Sequence, residues 1–474
     1  EFPVFTSMKS PKWSLVRFEE ALTQLYKDCD PKYCPKAQIK PEGAKEGGAP
    51  RLIQADGDKC QIMSLAVMHC MEYLMKKAHP NRTTKGGVPR KKLAELIKAM
   101  RHPTGVQKDG KTPVEGETIE GDGSAWDTTC SLDIRTLVEN RVICHILAVL
   151  RSMGKVEPDW EEALTKVCTA VKAELKLGGM WEHHNLQARV VINAIRRSGD
   201  RGTSILNWLT NFACWVSTIF GADVTSIEKI VKNAGKVYVI AKDRWGKFRG
   251  FSFIFEGDDS LLYTDPRLSD VEYEFCLARW KELGFNMKIF RRPGEGKTDE
   301  IVATFTGYNL ECDPCGPTGV FMPEVARCFD SGGLSCSPAT RVAAQGLDRD
   351  ALMTLSIAAM TSRAFAFAGL APTISNKFLM EARVLAGSDN FVVDDPEARR
   401  KYGEEYGDDI VEKIEILNAQ ADLSVELANY AKCGYPTTAR AMEDFVALPW
   451  AVALADCDVF TASLPRGWGG RNDD

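Results

Sequence analysis

The sequence predicts an α+β fold with a mainly helical final part. Strand-like and helix-like stretches alternate between about residues 50 and 311, and from Pro323 onward helical patterns are separated by Gly and Pro. Interleaved strands and helices followed by a run of helices are typical of an α+β domain with an appended helical part. With 474 residues and 44% hydrophobic content, the chain can bury a sizeable globular core.

Periodicity and turn residues predict the individual elements. Helical spacing of apolar residues predicts helices over 12–26, 59–77, 90–100, 132–153, 204–219 and 271–283. Apolar or alternating runs predict strands over 51–54, over the stretch that ends at 122, on both sides of 257–259, and over 285–290. Lys, Gly and Pro between residues 34 and 56 predict extended loops.

Charge is distributed unevenly along the chain. The net charge is −5, yet residues 32–111 carry 17 Lys and Arg against 7 Asp and Glu, and residues 389–426 carry 12 acids against 4 bases. Such an uneven distribution suits a protein that is acidic elsewhere but carries a positively charged track that could bind a polyanion such as nucleic acid. The alternative is two solvated faces of opposite charge.

Composition also bounds the cellular setting. Fifteen cysteines without a framework spacing suit a reducing intracellular compartment. Cys312 and Cys315 have CxxC spacing without a second pair, which favours ordinary thiols over zinc, and His183 and His184 favour packed or surface imidazoles. No apolar run of about 20 residues predicts a membrane span. The first residues lack both Met and a signal-peptide pattern, so we expect a piece of a longer product.

Two adjacent aspartates stand between two apolar runs in FIFEGDDSLLYTD, residues 253–265. We expect Gly257, Asp258 and Asp259 to form a tight hairpin turn. Neighbouring carboxylates repel, and a divalent cation between them removes the repulsion. A solvated surface turn is the alternative, because Asp and Gly are common turn formers.

A second acidic pair lies upstream in GDGSAWD, residues 121–127. Asp122 ends a predicted strand, and Asp127 follows five residues later. If Asp122 meets Asp258, the site could hold two metal ions about 4 Å apart, as in-line phosphoryl transfer requires. Asp127 is then free for another role, and its alternative interpretation is a helix N-cap.

A glycine-containing loop leads into a buried helix between the two acidic pairs, in RRSGDRGTSILNWLTN, residues 196–211. Ser198 and Gly199 begin the loop, and Thr203 and Asn207 lie four residues apart on one helix face. A polar loop that caps a core helix is the alternative, but it leaves Asn207 unexplained within an apolar run.

Taken in chain order, GDGSAWD, SGDRGTSILN and EGDD resemble motifs A, B and C of the RNA-dependent RNA polymerases of positive-strand RNA viruses. The combination of PRLIQ and SGDRGT resembles the flavivirus-like and the tombusvirus-like or nodavirus-like enzymes. The segment IKPEGAKEGGAPRLIQ resembles motif F, and LGFNMKIF and FTGYNLECD resemble motifs D and E. The resemblance covers about residues 40–311.

This resemblance implies a right-hand polymerase. Fingers and fingertips with motif F would occupy 1–114, and the palm with motif A and a fingers insertion would occupy 115–180. The palm with motifs B to E, an antiparallel sheet with flanking helices, would occupy 181–311, and a mainly helical thumb 312–474. Only about forty residues precede motif F. The family usually has more, so the first part of the fingers is short, trimmed or supplied by another chain.

The resemblance also implies roles for particular residues. Asp122 and Asp258, with Asp259 assisting, would ligate two Mg²⁺ or Mn²⁺ ions. Asp127 and Asn207 would recognise the ribose 2′-hydroxyl, the group that separates RNA from DNA building blocks.

The remaining implied roles concern the nucleotide and the leaving group. The residues that would shape the template and nucleotide loop are Ser198, Gly199 and Thr203. The residues that would neutralise the triphosphate are Lys40, Lys45 and Arg51. Lys288 is the candidate general acid for pyrophosphate, with Arg291 or Arg292 as alternatives.

The implied function is template-directed RNA synthesis from ribonucleoside triphosphates. Implied partners are an RNA template, a product strand and other replicase or viral proteins, in replication complexes of the host cytoplasm. The alternatives are a reverse transcriptase and a catalytically idle RNA-binding scaffold. Asp127 and Asn207 argue against the first, and the retained Asp122, Asp258 and Asp259 argue against the second.

Overall fold

The computed structural model describes residues 15–27, 36–39, 52–55, 57–80, 82, 116–156, 158–169, 172–177, 188–193, 196, 201–233, 239–292, 301–311, 321–323, 349–387 and 409–432. The chain divides into two compact units. The first comprises 1–40, 50–297 and 302–306, and the second comprises 41–49, 298–301 and 307–474.

Helices and strands alternate through the first unit. Its helices are α1 (Leu15–Lys27), α2 (Asp58–Ala78), α3 (Trp126–Thr129), α4 (Leu132–Ile134), α5 (Arg141–Ser152), α6 (Pro158–Cys168), α7 (Thr203–Phe220), α8 (Val224–Asn233) and α9 (Asp270–Glu282). A π-helical stretch, Arg135–Asn140, joins α4 to α5. The strands are β1 (Lys36–Ile39), β2 (Leu52–Ala55), β3 (Glu117–Ser124), β4 (Lys172–Leu177), β5 (Ala188–Asn193), β6 (Val239–Lys242), β7 (Phe248–Glu256), β8 (Asp259–Asp265), β9 (Asn286–Arg292) and β10 (Ile301–Phe305).

A five-stranded antiparallel sheet forms the centre of this unit, in the order β6-β7-β8-β3-β9. Strands β7 and β8 are buried along almost their whole length. Continuous apolar runs such as FSFIF suit strands that are covered on both faces. Helix α7 packs against β7, and α9 packs against β9. The chain thereby places β3, which is far from β8 in sequence, beside the end of the β7–β8 hairpin.

Aromatic rings fill the space between α7 and the sheet. Trp208 stacks on Phe212 with ring centroids 5.5 Å apart, and Phe212 lies 5.0 Å from Phe253 of β7. Trp215, further along α7, contacts Trp280 of α9 edge-on at 5.2 Å. Buried aromatic side chains contribute large apolar areas, so this row fixes α7 on the sheet.

A smaller sheet of order β2-β1-β4-β5 also belongs to the first unit. Strands β4 and β5 pair antiparallel, and β1 pairs parallel with β4. The sequence analysis did not predict β1, β4, β5 or the edge strand β6. These strands are only four to six residues long, and packing in the folded sheet decides such strands more than intrinsic propensity does, so local patterns indicate them weakly.

The second unit is helical around a short antiparallel pair. Strands β11 (Tyr308–Glu311) and β12 (Phe321–Pro323) pair antiparallel. The helices are α10 (Arg349–Phe367), α11 (Pro372–Ala386), α12 (Ile410–Ala419) and α13 (Leu423–Lys432). Glu426 of α13 caps α11, because its carboxylate accepts bonds from the Thr373 N–H at 2.8 Å and the Thr373 hydroxyl at 3.0 Å.

The mixed helix and antiparallel-sheet architecture confirms the predicted α+β class. The predicted helices and strands match the described elements, except that the helix over 90–100 lies outside the described residues. The helix expected over 132–153 is interrupted by its π-helical stretch. Within the described ranges no helix is long and apolar enough to cross a membrane. The division into fingers, palm and thumb stays a prediction.

A buried imidazole makes the stability of the first unit depend on pH. His79, at the end of α2, lies against Trp208 and Phe212 of α7, and burial together with Arg82 lowers its pKa to about 4. Between about pH 6.5 and 4 the unfolded chain therefore binds a proton that the folded chain does not. The free energy of unfolding should fall over this window as pH decreases, by about 2–3 kcal/mol from His79.

Chemical denaturation at several pH values measures how the free energy of unfolding changes between pH 6.5 and 4. The variant His79→Phe keeps a ring in place and should show a shallower decrease between pH 6.5 and 4 than the wild type. An equal slope in both proteins would contradict the role of His79.

Candidate active site

The hairpin between β7 and β8 ends in a two-residue turn. Glu256 pairs with Asp259, which leaves Gly257 and Asp258 as the two turn residues. Gly257 has φ +63°, a left-handed conformation that favours glycine in tight hairpin turns. Asp259 is therefore the first residue of β8 rather than part of the turn, a small correction to the expected three-residue turn.

Strand β3 brings the upstream aspartate to this turn. Gly121 pairs with Ser260, so extending the antiparallel register by one residue places Asp122 opposite Asp259. Opposed residues of antiparallel strands have Cα atoms about 4.5–5.5 Å apart. Asp122 is exposed, and its carboxylate forms no hydrogen bond or ion pair with any described residue. The backbone thus brings Asp122, Asp258 and Asp259 to one end of the sheet.

The segment after Asp122 turns sharply. A Cβ on Gly123 would lie 2.4 Å from the Trp126 ring, so only glycine fits there, and Ala125 has φ +54°. The short helix α3 then presents Asp127 in its first turn without a side-chain cap bond at Ala125. Ser131 caps the following helix instead, where its hydroxyl accepts from the Ile134 N–H at 3.3 Å. The alternative interpretation of Asp127 as an N-cap is therefore wrong.

Asn211 of α7 holds the turn. Its Nδ2 donates to the carbonyl oxygens of Gly257 and Asp258, both at 3.1 Å. Its Oδ1 accepts from the Ser260 hydroxyl at 2.9 Å, and that hydroxyl accepts from Trp215 Nε1 at 3.0 Å. Asn211 is fully buried. Because hydrogen bonds shielded from water are hard to replace, this set fixes the carbonyls that precede and follow the Asp258 side chain.

Asn207 lies one helical turn earlier on α7 and is buried beside the same hairpin. A Cβ on Gly257 would be 4.0 Å from Asn207 Cβ. Arg196 Nε donates to Asn207 Oδ1 at 3.1 Å, and the Arg196 backbone N–H donates to the Asp127 carbonyl oxygen at 2.7 Å. The two residues expected at the ribose are thus joined through Arg196.

Thr203 begins α7 immediately after Gly202, a glycine that packs closely against neighbouring side chains. A Cβ on Gly202 would meet Met68 Sδ at 2.7 Å and Leu206 Cδ1 at 2.8 Å. The α7 start is therefore pressed against α2. Burial lowers the pKa of the neighbouring Arg201 guanidinium, with Glu72 acting in the opposite direction.

Lys288 pairs with Asp122 across β3 and β9. Cross-strand partners share a face, so Lys288 stands beside Asp122, and both residues are exposed. Arg291 lies on the other face, where it binds Glu117 at 2.7 Å and Asp270 at 2.9 Å. Burial lowers the pKa of Arg291, but the ion pairs with Glu117 and Asp270 outweigh burial and raise this pKa overall.

Several predicted residues fall outside the described part of the chain. They are Lys40, Lys45, Arg51, His183, His184, Ser198, Gly199, Cys312 and Cys315. Among the residues that the structure does describe, no three His, Cys, Asp or Glu side chains are arranged to hold a metal ion. The assigned roles of the site residues stay predictions.

The sequence analysis missed Asn211, Arg196 and Glu139. A signal for Asn211 was present, since it follows Asn207 by four residues in an otherwise apolar helix and so repeats a polar position on one face. Arg196 and Glu139 are partners separated by 57 residues, and no local pattern indicates such a pair.

Comparisons with known proteins found similarity among solved structures. No family model matches the chain, and no curated protein matches it. A crystal structure of the RNA-dependent RNA polymerase of a human picorbirnavirus is similar with a TM-score of 0.47 and 13% identity, covering 91% of this chain. The chain spans 65% of the length of that protein.

The replacement Asn211→Ala should loosen the turn that carries Asp258. It leaves two carbonyls and the Ser260 hydroxyl without their partner, and unsatisfied buried groups cost about 1–3 kcal/mol each. We expect chemical denaturation to show a loss of about 3 kcal/mol, and amide exchange to become faster at residues 257–260.

Asn233→Ala is the matched control. Asn233 donates to the Lys229 carbonyl at 2.8 Å at the exposed end of α8, where water can replace the bond. Unchanged amide exchange at residues 257–260 in Asn211→Ala would show that Asn211 does not hold the turn.

Proposed function

We propose that this chain is an RNA-directed RNA polymerase that adds nucleotides from ribonucleoside triphosphates to an RNA 3′ end along a template. One observation carries the proposal: the antiparallel register that puts Asp122 opposite Asp259, next to the turn that carries Asp258. Carboxylates gathered at one sheet end repel each other, an arrangement that suits a site for cations.

The carboxylates fit hard divalent ions, since Mg²⁺ and Mn²⁺ prefer oxygen ligands and leave positions for phosphate oxygens. Asp122, Asp258 and Asp259 would hold two Mg²⁺ or Mn²⁺ ions. Bound there, the ions would favour ionisation of the attacking 3′-hydroxyl and stabilise charge on the pyrophosphate. The exposed, unengaged carboxylate of Asp122 supports this use.

Other residues of the chain would act on the nucleotide. Asp127 and Asn207 would recognise the ribose 2′-hydroxyl, and Lys288, beside Asp122, would donate a proton to the pyrophosphate. The loop residues Ser198, Gly199 and Thr203 would shape the template and nucleotide site. The triphosphate would be bound by Lys40, Lys45 and Arg51.

The setting follows from this activity. Its partners would be an RNA template, the product strand and other replicase or viral proteins, in replication complexes of the host cytoplasm. The resemblance to flavivirus-like and tombusvirus-like or nodavirus-like enzymes supports a positive-strand RNA virus as the source.

An extension assay tests the function. Purified chain is given a defined RNA template, with and without primer, Mg²⁺ or Mn²⁺, and labelled ribonucleotides or deoxyribonucleotides. We expect template-dependent extension with ribonucleotides. Preferential use of deoxyribonucleotides would indicate a reverse transcriptase, and RNA binding without extension in any arm would indicate an idle scaffold.

The variant Asp258→Ala should abolish nucleotide addition without unfolding the chain. It removes a side chain at a turn whose backbone is held by Asn211, so the melting temperature should stay near that of the wild type. Asp133→Ala removes an exposed carboxylate from α4 and should retain extension. Normal elongation by Asp258→Ala would disprove the assignment of the site.

A further inference from the structure

A cluster of charged and polar side chains lies buried behind the candidate ribose site. The Arg196 guanidinium pairs with Glu139, whose carboxylate also accepts from the Thr210 hydroxyl at 2.8 Å and from Arg135 Nε at 3.4 Å. The side chains of Arg196 and Glu139 are 0% and 1% exposed. Burying charged groups costs desolvation energy, which offsets part of their attraction. We expect such a cluster to fix the orientation of its side chains as much as to stabilise the fold.

Arg196 fixes the polarity of the Asn207 amide. An asparagine amide has one oxygen that accepts and one nitrogen that donates, whereas arginine only donates. Arg196 Nε bonds Asn207 Oδ1 at 3.1 Å, and a flipped amide would set donors against donors. Asn207 therefore keeps its Nδ2 group as the one available to another partner.

The same residue also holds the segment of Asp127. The Arg196 backbone N–H donates to the Asp127 carbonyl oxygen at 2.7 Å. A ribose 2′-hydroxyl can donate one hydrogen bond and accept another. The Asp127 carboxylate can accept a hydrogen bond from the 2′-hydroxyl, and Asn207 Nδ2 can donate one to it. A 2′-deoxyribose has no hydroxyl there and can form neither bond.

We infer that Arg196 is a positioning residue that sets selectivity for ribonucleotides by orienting Asn207 as a hydrogen-bond donor. This rests on the proposed polymerase function. Glu139 holds the Arg196 guanidinium in place. A planar, forked donor such as guanidinium is needed to reach Glu139 and Asn207 at the same time. A lysine at 196 would keep the charge pair and give up the fork.

The test compares Arg→Lys variants at two positions of one cluster. Arg196→Lys should keep Glu139 paired while losing the bond to Asn207. Arg135→Lys alters another partner of Glu139 and leaves Asn207 untouched. The measurement is the ratio of kcat/KM for a ribonucleotide to kcat/KM for its 2′-deoxy counterpart. We expect Arg196→Lys to lower this ratio about tenfold, as loss of one buried hydrogen bond predicts, and Arg135→Lys to leave it unchanged.

A double-mutant cycle locates the effect. Asn207→Ala should also lower the ratio, and adding Arg196→Lys to it should lower the ratio no further, because both changes remove one interaction. A wild-type ratio in Arg196→Lys, or effects that multiply in the double variant, would overturn the inference.

Melting temperatures of all variants separate folding from selectivity. If Arg196→Lys does not fold, Arg196→Gln removes the guanidinium while Glu139 stays paired with Arg135, and the same lowered ratio is expected. A wild-type chain that extends no nucleotide overturns the polymerase proposal and this inference together. A wild-type chain that extends RNA while Arg196→Lys matches its ratio overturns only the role of Arg196.

Discussion

The arrangement of the candidate site depends on one contact, that between Asn211 of α7 and the backbone of the β7–β8 turn. The amide reaches two turn carbonyls and the Ser260 hydroxyl from within a buried helix. Because the contact is made to backbone, it fixes the turn whatever side chains the turn carries. The aspartates can then be grouped at one place even though they repel each other.

Helix α7 carries a row of side chains that hydrogen-bond around the site and apolar side chains that pack into the core. The residues of this row are spaced by three or four positions: Ser204, Asn207, Asn211 and Trp215. Three of them contact the β7–β8 hairpin, and Asn207 contacts Arg196. Near the start of α7, the Ser204 hydroxyl donates to the Glu256 carboxylate at 3.2 Å. Further along the helix, Trp215 Nε1 donates to the Ser260 hydroxyl within the core. The apolar residues between them supply the packing that keeps this polar row in register.

Local patterns predicted the parts of the structure that local forces determine. The hairpin and the helix at 203–220 follow from Gly-Asp at a turn and from apolar periodicity. The nearness of Asp122 to the turn required the family resemblance, since strands β3 and β8 are joined only by their pairing. The pairing of β1 with β4 and the pair Arg196–Glu139 join segments far apart in the chain, and the sequence held no comparable pattern for them.

The π-helical stretch Arg135–Asn140 has a consequence for how this region can change during evolution. A π-helical hydrogen bond spans one more residue than an α-helical one, and each residue rotates an α-helix by roughly 100°. Deleting a single residue there would restore a regular α-helix and swing Glu139 relative to Arg135 and to α5. Related chains should therefore conserve the spacing of this segment more strictly than its side chains on the solvent-facing side.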